Sequence, residues 1–235
     1  MKRVVIGDLV DADAVAETAA QDLASNLSSL LDTQQEVNLV LTGGTVGIKT
    51  LSKLAPLVKD LDFSRLSIWW GDERFVVPDS PERNFLQAKD ALLSRVQIPT
   101  GNIHPMPSTE DGDLAEAAEA FAKTLESEAP NFDLVLLGMG GDGHVASLFP
   151  GSSPIEFGRW IIAESNSPKA PAQRISLSYE ALSSAKEVWF LVSGEDKSNA
   201  VSRVFAGELL PAGRVTARNL TKWYMDKAAA SGITS

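Results

Sequence analysis

Cysteine is absent from the 235-residue sequence. This absence excludes disulfide frameworks, cysteine-ligated zinc, iron–sulfur clusters and thiol nucleophiles, and it fits a protein of the reducing cytoplasm. Long apolar runs are also lacking, since no stretch approaches the ~20 consecutive apolar residues that a membrane-spanning helix needs. The first apolar run is interrupted by Asp8, Asp11 and Asp13, which argues against a signal peptide. We therefore expect a cytoplasmic protein that does not bind a membrane.

Positive charge is scarce as well. The chain carries 21 Lys and Arg against 31 Asp and Glu, for a formal net charge of −10. Binding to a phosphate backbone needs clustered Lys and Arg, and the sequence has no basic run, so we expect no nucleic-acid partner. An anionic small molecule would have to be bound by a local site rather than attracted by the overall charge.

The pattern of apolar residues predicts one α/β domain over residues 1–235. With 44% hydrophobic residues the chain can bury a substantial core, and no internal repeat or flexible linker divides it. Short β-branched runs alternate with helical patterns, which favours a three-layer, Rossmann-like fold with a mostly parallel sheet. Strands are predicted at 3–6, 37–41, 66–70, 132–137, 160–163, 174–177 and 188–192. Helices are predicted from Asp11 to about Leu31 and at 46–54, 84–93, 113–128 and 196–205, with a long polar loop at 71–83.

In such a fold the ligand binds at the carboxyl ends of the strands, which directs attention to the loops at 42–45, 71–84, 138–144 and 194–197. The first of them, Thr42-Gly43-Gly44-Thr45, runs from a strand into a helix. Its glycines allow close backbone approach, and the helix N-terminus offers amide donors to an anion. A simple tight turn explains the motif equally well. No Gly-Lys-Ser/Thr ending follows, so a triphosphate site is unsupported.

The loop at 138–144 matches the dinucleotide-binding fingerprint in its letters, Gly-Met-Gly-Gly-Asp-Gly. That fingerprint needs a full helix after its third glycine, whereas here Pro150 ends any helix within a few residues. Its chemistry lies instead in Asp142 and His144. A histidine that titrates near neutrality can take a proton from water, and a nearby carboxylate can fix its tautomer.

Charged residues also stand after one further strand, at the start of another strand and at the start of a helix. Asp72, Glu73 and Arg74 come directly after the strand at 66–70, as a solvated loop or as an ordered lid in which Arg74 binds an oxyanion. Arg174 opens a strand and Lys197 opens a helix. Each alone is typical of a surface cation, but together with the loop at 42–45 they could bind a phosphate.

Three motifs together resemble the 6-phosphogluconolactonases, which share a superfamily with the glucosamine-6-phosphate deaminases. The motifs are TGGT, WWGDERFV followed by ERN, and LGMGGDGHVASLFPG. The resemblance spans roughly residues 37–197, and the DGH loop followed by SLFPG is its most specific element. It implies hydrolysis of 6-phospho-D-glucono-1,5-lactone to 6-phosphogluconate, the second step of the oxidative pentose phosphate pathway. It further implies an enzyme without metal or cofactor, and we expect a monomer.

The resemblance also implies roles for individual residues. His144 would be the general base that activates water, Asp142 would orient the site, and Arg74 would stabilise developing negative charge. Asp72 would line the site. The remaining residues would hold the 6-phosphate: Gly43, Gly44, Thr45, Arg174 and Lys197.

Two other functions remain open at this stage. A glucosamine-6-phosphate deaminase or isomerase shares the DGH motif but carries a glutamate where this sequence has Phe149, and a phenyl ring cannot transfer protons. Similar folds also serve as non-catalytic sugar-phosphate sensors in transcription regulators. Such a sensor would need a DNA-binding segment, and no basic helix-turn-helix pattern is present.

Overall fold

A computed structural model describes residues 2–233 and shows an α/β protein with two sheets. No helix in this part of the chain is both long and apolar enough to span a membrane. The strands are β1 (Lys2–Leu9), β2 (Val37–Leu41), β3 (Leu66–Trp70), β4 (Asp72–Arg74), β5 (Leu134–Gly138), β6 (Ile155–Phe157), β7 (Ile161–Glu164), β8 (Arg174–Leu177), β9 (Glu187–Val192) and β10 (Leu220–Asp226). The α-helices are α1 (Ala12–Thr33), α2 (Gly44–Leu54), α3 (Asn84–Ala91), α4 (Leu114–Glu128), α5 (Tyr179–Ser183), α6 (Ser198–Phe205), α7 (Pro211–Arg214) and α8 (Lys227–Ala230).

The main sheet has six strands in the order β1-β10-β9-β5-β2-β3, and every pair in it is parallel. All five residues of β2 are buried, as expected for a parallel strand that helices cover on both faces. The predicted fold class is therefore confirmed.

Helix ends follow from local capping. Asp11 caps α1 by accepting a 2.9 Å hydrogen bond from the amide of Ala14, and the helix buries an apolar stripe that includes Val15, Leu23 and Leu27. A reciprocal capping box between Asp113 and Glu116 begins α4. Both helix starts can be predicted from the sequence, because in each a capping carboxylate comes directly before the apolar helical pattern.

The second sheet corrects the prediction in one respect. The segments predicted as strands at 160–163 and 174–177 do not join the parallel sheet; as β7 and β8 they form a separate antiparallel sheet in the order β4-β8-β7-β6. The polar segment predicted as a loop begins with β4, which pairs antiparallel with β8 and sets Arg74 opposite Arg174. A strand of sequence Asp-Glu-Arg has no apolar alternation, so pairing rather than local pattern creates it. This pairing brings Arg74 and Arg174, which are far apart in sequence, together at one edge of the small sheet.

Candidate active site

A cavity of about 460 Å³ lies where the carboxyl ends of the parallel strands meet the small antiparallel sheet. All four loops that the sequence singled out contribute to its wall. Eight of the predicted site residues line it: Gly43, Gly44, Thr45, Asp72, Arg74, His144, Arg174 and Lys197. The ninth, Asp142, contacts the ring of His144.

One end of the cavity offers backbone donors. Helix α2 begins at Gly44, whose φ of 79° favours glycine, and Gly43 provides no side-chain cap for the first turn. The amides of this turn are therefore free for an anion, which the helix dipole also favours. Lys197 lines the same cavity, and its ammonium group lies 2.6 Å from the carboxylate of neighbouring Asp196.

Asn84, the first residue of α3, packs against Gly43 of the loop after β2 and bonds to Asp72. Its Nδ2 donates a 2.8 Å hydrogen bond to the carbonyl of Asp72. A Cβ built on Gly43 would come within 2.0 Å of Oδ1 of Asn84. Any side chain at position 43 would therefore have to displace the buried side chain of Asn84 or shift the backbone of the loop.

The two side chains that the DGH motif singles out, Asp142 and His144, are in contact. Nδ1 of His144 lies 2.5 Å from Oδ1 of Asp142, and this side chain of His144 is 14% exposed. A tight turn supports the pair: the amide of Gly140 donates to the carbonyl of His144 at 2.9 Å. A Cβ on Gly140 would lie 2.0 Å from the imidazole, so the ring packs directly on glycine backbone. Because a carboxylate can only accept, Nδ1 carries the proton and Nε2 is the basic nitrogen.

Burial and hydrogen bonding together determine the protonation of this pair. Desolvation lowers the pKa of His144 below its ordinary value of 6.5, although the hydrogen bond and charge of Asp142 act in the opposite direction. Burial alone would raise the pKa of Asp142, but hydrogen bonds from the ring and the backbone amide of His144 bring it below the ordinary value. At neutral pH the site therefore holds a neutral imidazole beside a carboxylate, which is the state a general base needs.

The acidic cluster after β3 is an ordered part of the structure, so its interpretation as a solvated loop is wrong. Asp72 is 7% exposed and accepts a 2.7 Å hydrogen bond from the hydroxyl of Ser147. Glu73 is 1% exposed and accepts from the backbone amides of Arg74, Asn84 and Phe85. Glu73 thus anchors the start of α3, and Asp72 is the acid of the cluster that reaches the cavity.

The two arginines that line the cavity are held by backbone carbonyls. Nη1 of Arg74 donates to the carbonyl of Glu82 at 2.5 Å. Arg174 is buried, and its Nε and Nη2 donate to the carbonyls of Pro171 and Ala170 at 2.7 and 3.0 Å. Burial lowers the pKa of Arg174 below its ordinary value, but an arginine remains charged at neutral pH. Each guanidinium is thus oriented before a ligand arrives.

Sequence reasoning missed several residues of the site. Lys169, Ser193 and Asn84 line the cavity, and Ser147 supports Asp72 from behind. Asn84 stands in the ERN part of one motif and Ser147 in the SLFPG part of another, so both had a signal. Lys169 and Ser193 lie outside all three motifs and had none. Phe149 also lines the cavity, with its ring centroid 4.7 Å from that of His144, so no carboxylate is supplied by that position.

Comparison with known proteins gives matches over most of the chain. The family model described as glucosamine-6-phosphate isomerases/6-phosphogluconolactonase matches residues 10–224. A 6-phosphogluconolactonase of Streptomyces coelicolor is 41% identical, with 95% of this chain and 92% of that protein covered. One of Mycobacterium tuberculosis is 38% identical, with 96% of each covered. The crystal structure of 6-phosphogluconolactonase from Thermotoga maritima superposes with a TM-score of 0.87 at 28% identity, covering 96% of this chain and 100% of that one.

Proposed function

This chain belongs to the glucosamine-6-phosphate isomerase/6-phosphogluconolactonase family, and we propose that it is a 6-phosphogluconolactonase, a carboxylic-ester hydrolase that opens 6-phospho-D-glucono-1,5-lactone to 6-phosphogluconate. The observation that carries the proposal is the pairing of His144 with Asp142 at 2.5 Å in a cavity whose wall also includes an uncapped helix N-terminus and Lys197. A proton acceptor and an anion site then share one space of sugar-phosphate size.

The proposed base is Nε2 of His144. It takes a proton from water as the water oxygen attacks the lactone carbonyl carbon, and the electron pair of the carbonyl moves onto its oxygen. Asp142 keeps Nδ1 protonated and stabilises the imidazolium that forms. When the tetrahedral intermediate collapses, the bond from that carbon to the ring oxygen breaks. The imidazolium then returns its proton to the departing oxygen, and the base is regenerated.

Arg74 and Asp72 flank this reaction in the proposal. A guanidinium fixed by the carbonyl of Glu82 can stabilise negative charge on the carbonyl oxygen without reorganising. Asp72, held by Ser147 and Asn84, is suited to accept hydrogen bonds from sugar hydroxyls. No metal or cofactor takes part in these steps.

The 6-phosphate is proposed to bind at the opposite end from the reacting carbon. Gly43, Gly44 and Thr45 would donate from the first turn of α2, and Lys197 would supply positive charge there. Arg174, which lies opposite Arg74 on the small sheet, would add positive charge for the phosphate from that side of the cavity. Fixing the phosphate holds the lactone carbonyl near His144, so that binding energy is used for positioning.

The test is the disappearance of 6-phosphogluconolactone, generated in place from glucose 6-phosphate, beside a protein-free control because the lactone also opens unaided in water. We expect acceleration by the wild type and loss of most of it in His144→Ala, with phosphate affinity nearly unchanged and the fold intact by circular dichroism. A folded wild-type protein that gives no acceleration would overturn the proposal. Ammonia release from glucosamine 6-phosphate would instead support the deaminase alternative.

A further inference from the structure

A segment between β7 and β8, residues 165–173, forms one wall of the cavity and contributes Lys169 and Ala170 to its lining. We call it the strap. None of the three sequence motifs includes it, and the proposed function assigns no role to its lysine. The strap nevertheless places a cation in the space that contains His144.

The backbone of Lys169 is fixed on both sides. Nη2 of Arg174 donates to its carbonyl at 3.2 Å. The hydroxyl of Ser167 donates to the same carbonyl at 3.0 Å and accepts from the amide of Lys169 at 3.2 Å. Arg174 further holds Ala170 and Pro171. Five hydrogen bonds therefore determine where the side chain of Lys169 begins, and Arg174 makes three of them.

The cavity contains four cations within residues 2–233: Arg74, Lys169, Arg174 and Lys197. Lys197 is paired with Asp196, and both arginines are bound to carbonyls. The ammonium group of Lys169 makes no ion pair in this part of the chain. Lys169 and His144 line one cavity, so a substrate bound there can meet both groups. The positive charge of Lys169 lowers the pKa of His144, while Asp142 on the loop of His144 and Asp72 on β4 act to raise it.

We propose that Lys169 is a further catalytic residue, which the strap presents to the oxygen of the lactone carbonyl beside His144, and that Arg174 is the positioning residue that fixes the strap. This inference rests on the proposed function and deepens it. Negative charge develops on the carbonyl oxygen when water attacks, and an unpaired ammonium group beside the base stabilises that charge together with Arg74.

The first test does not depend on activity. The chain has only two histidines, His104 and His144, so their ring C–H resonances can be assigned with His144→Ala and titrated by NMR. Because Lys169 lowers the pKa of His144, Lys169→Gln is expected to raise the titration midpoint of His144 by about half a pH unit. Lys169→Arg should leave it unchanged. Arg174→Lys, which keeps the charge but loses the forked contacts, should raise it through displacement of the strap.

Lys123→Gln is the matched control, since it removes one positive charge from a lysine that is 71% exposed on α4. If Lys169→Gln moves the midpoint no more than Lys123→Gln does, Lys169 does not lie beside His144 and the proposal is overturned.

The second test is kinetic. Lys169→Gln should lower kcat about tenfold or more with little change in KM, whereas Lys169→Arg should keep most of the activity. The double variant Lys169→Gln, Arg174→Lys should keep kcat no lower than Lys169→Gln alone, because the two residues act through one contact. A wild type that hydrolyses the lactone while Lys169→Gln matches it would overturn this proposal alone. A wild type without activity would overturn the proposed function, and the NMR titration would still decide whether Lys169 lies at the base.

Discussion

The hydroxyl of Ser147 donates a 2.7 Å hydrogen bond to Oδ2 of Asp72, and both residues are buried. On the other side, Nδ2 of Asn84 lies 3.3 Å from Oδ1 of the same carboxylate. Both oxygens of Asp72 are thus held by neighbours, one in the loop after β5 and one at the start of α3. The carboxylate is fixed as an acceptor at the cavity wall before any ligand binds.

Ser147→Ala should therefore weaken both the fold and the site. It removes a hydrogen bond to a charged group in the interior, which is expected to lower the free energy of unfolding by about 1–3 kcal/mol. Freed on one side, Asp72 should lose its fixed position, and kcat/KM for the lactone should fall about tenfold. Urea denaturation and initial rates check the two effects. Ser29→Ala, an exposed serine of α1, is the control, and equal behaviour of the two variants would contradict the role assigned to Ser147.

The fold was predictable because its apolar runs are local signals. Strands β2, β3 and β8 begin and end where the sequence predicts them, since each is a short apolar or β-branched run with polar ends. Three strands had no such signal: β4 is three charged residues, β6 is short and exposed, and β10 contains a lysine and an aspartate. These strands are stabilised by partners distant in sequence, which no local pattern reveals.

The site was predictable to the extent that strand ends converge. His144, Asp72 and Lys197 lie on loops after parallel strands, so the rule for such sheets places them together. Lys169 reaches the cavity from the antiparallel sheet, to which that rule does not apply. Ser147 does not line the cavity and contributes only by its hydrogen bond to the buried carboxylate of Asp72. That residues 1–235 form one domain, and that the protein is a cytoplasmic monomer, stay predictions.

The pH dependence of the reaction should show the burial of His144. The base works only when neutral, so kcat/KM should rise with pH through the pKa of His144 and then level off. Because burial lowers this pKa below 6.5, the midpoint of the rise should lie on the acid side of 6.5. Initial rates corrected for unaided hydrolysis at each pH measure it. A midpoint above 6.5 would mean that the ion pair with Asp142 outweighs desolvation.

Asp142→Asn should act on the tautomer and on the charge together. An amide no longer requires the proton to stay on Nδ1, so the basic nitrogen can face away from water, and kcat should fall about a hundredfold. The negative charge of Asp142 raises the pKa of His144 in the wild type. Its loss should therefore shift the rise of kcat/KM with pH to still lower pH. KM should change little. Rates measured across pH for the two proteins check this. A rise of kcat/KM shifted to higher pH would contradict the effect assigned to the charge of Asp142 on His144.

Lys197→Ala should separate binding from chemistry. If Lys197 holds the phosphate, KM should rise about tenfold while kcat at saturation falls much less. Lys53→Ala serves as the control, because Lys53 pairs with Glu17 at 3.0 Å on the surface and does not line the cavity. Competition by inorganic phosphate offers a second measure, since the variant should be inhibited more weakly than the wild type. A lowered kcat with unchanged KM would move the phosphate to another part of the cavity.

Gly43→Ala tests whether the loop after β2 must approach Asn84 closely. The added Cβ would lie 2.0 Å from Oδ1 of Asn84, and Asn84 cannot retreat without losing its 2.8 Å hydrogen bond to Asp72. Either the first turn of α2 or Asp72 must shift, so KM should rise about tenfold and the free energy of unfolding should fall by roughly 1–3 kcal/mol. Gly101→Ala adds the same methyl group where nothing lies within 4 Å and should leave both quantities unchanged. If the two variants have equal KM, the anion site does not depend on the close approach of Gly43 to Asn84.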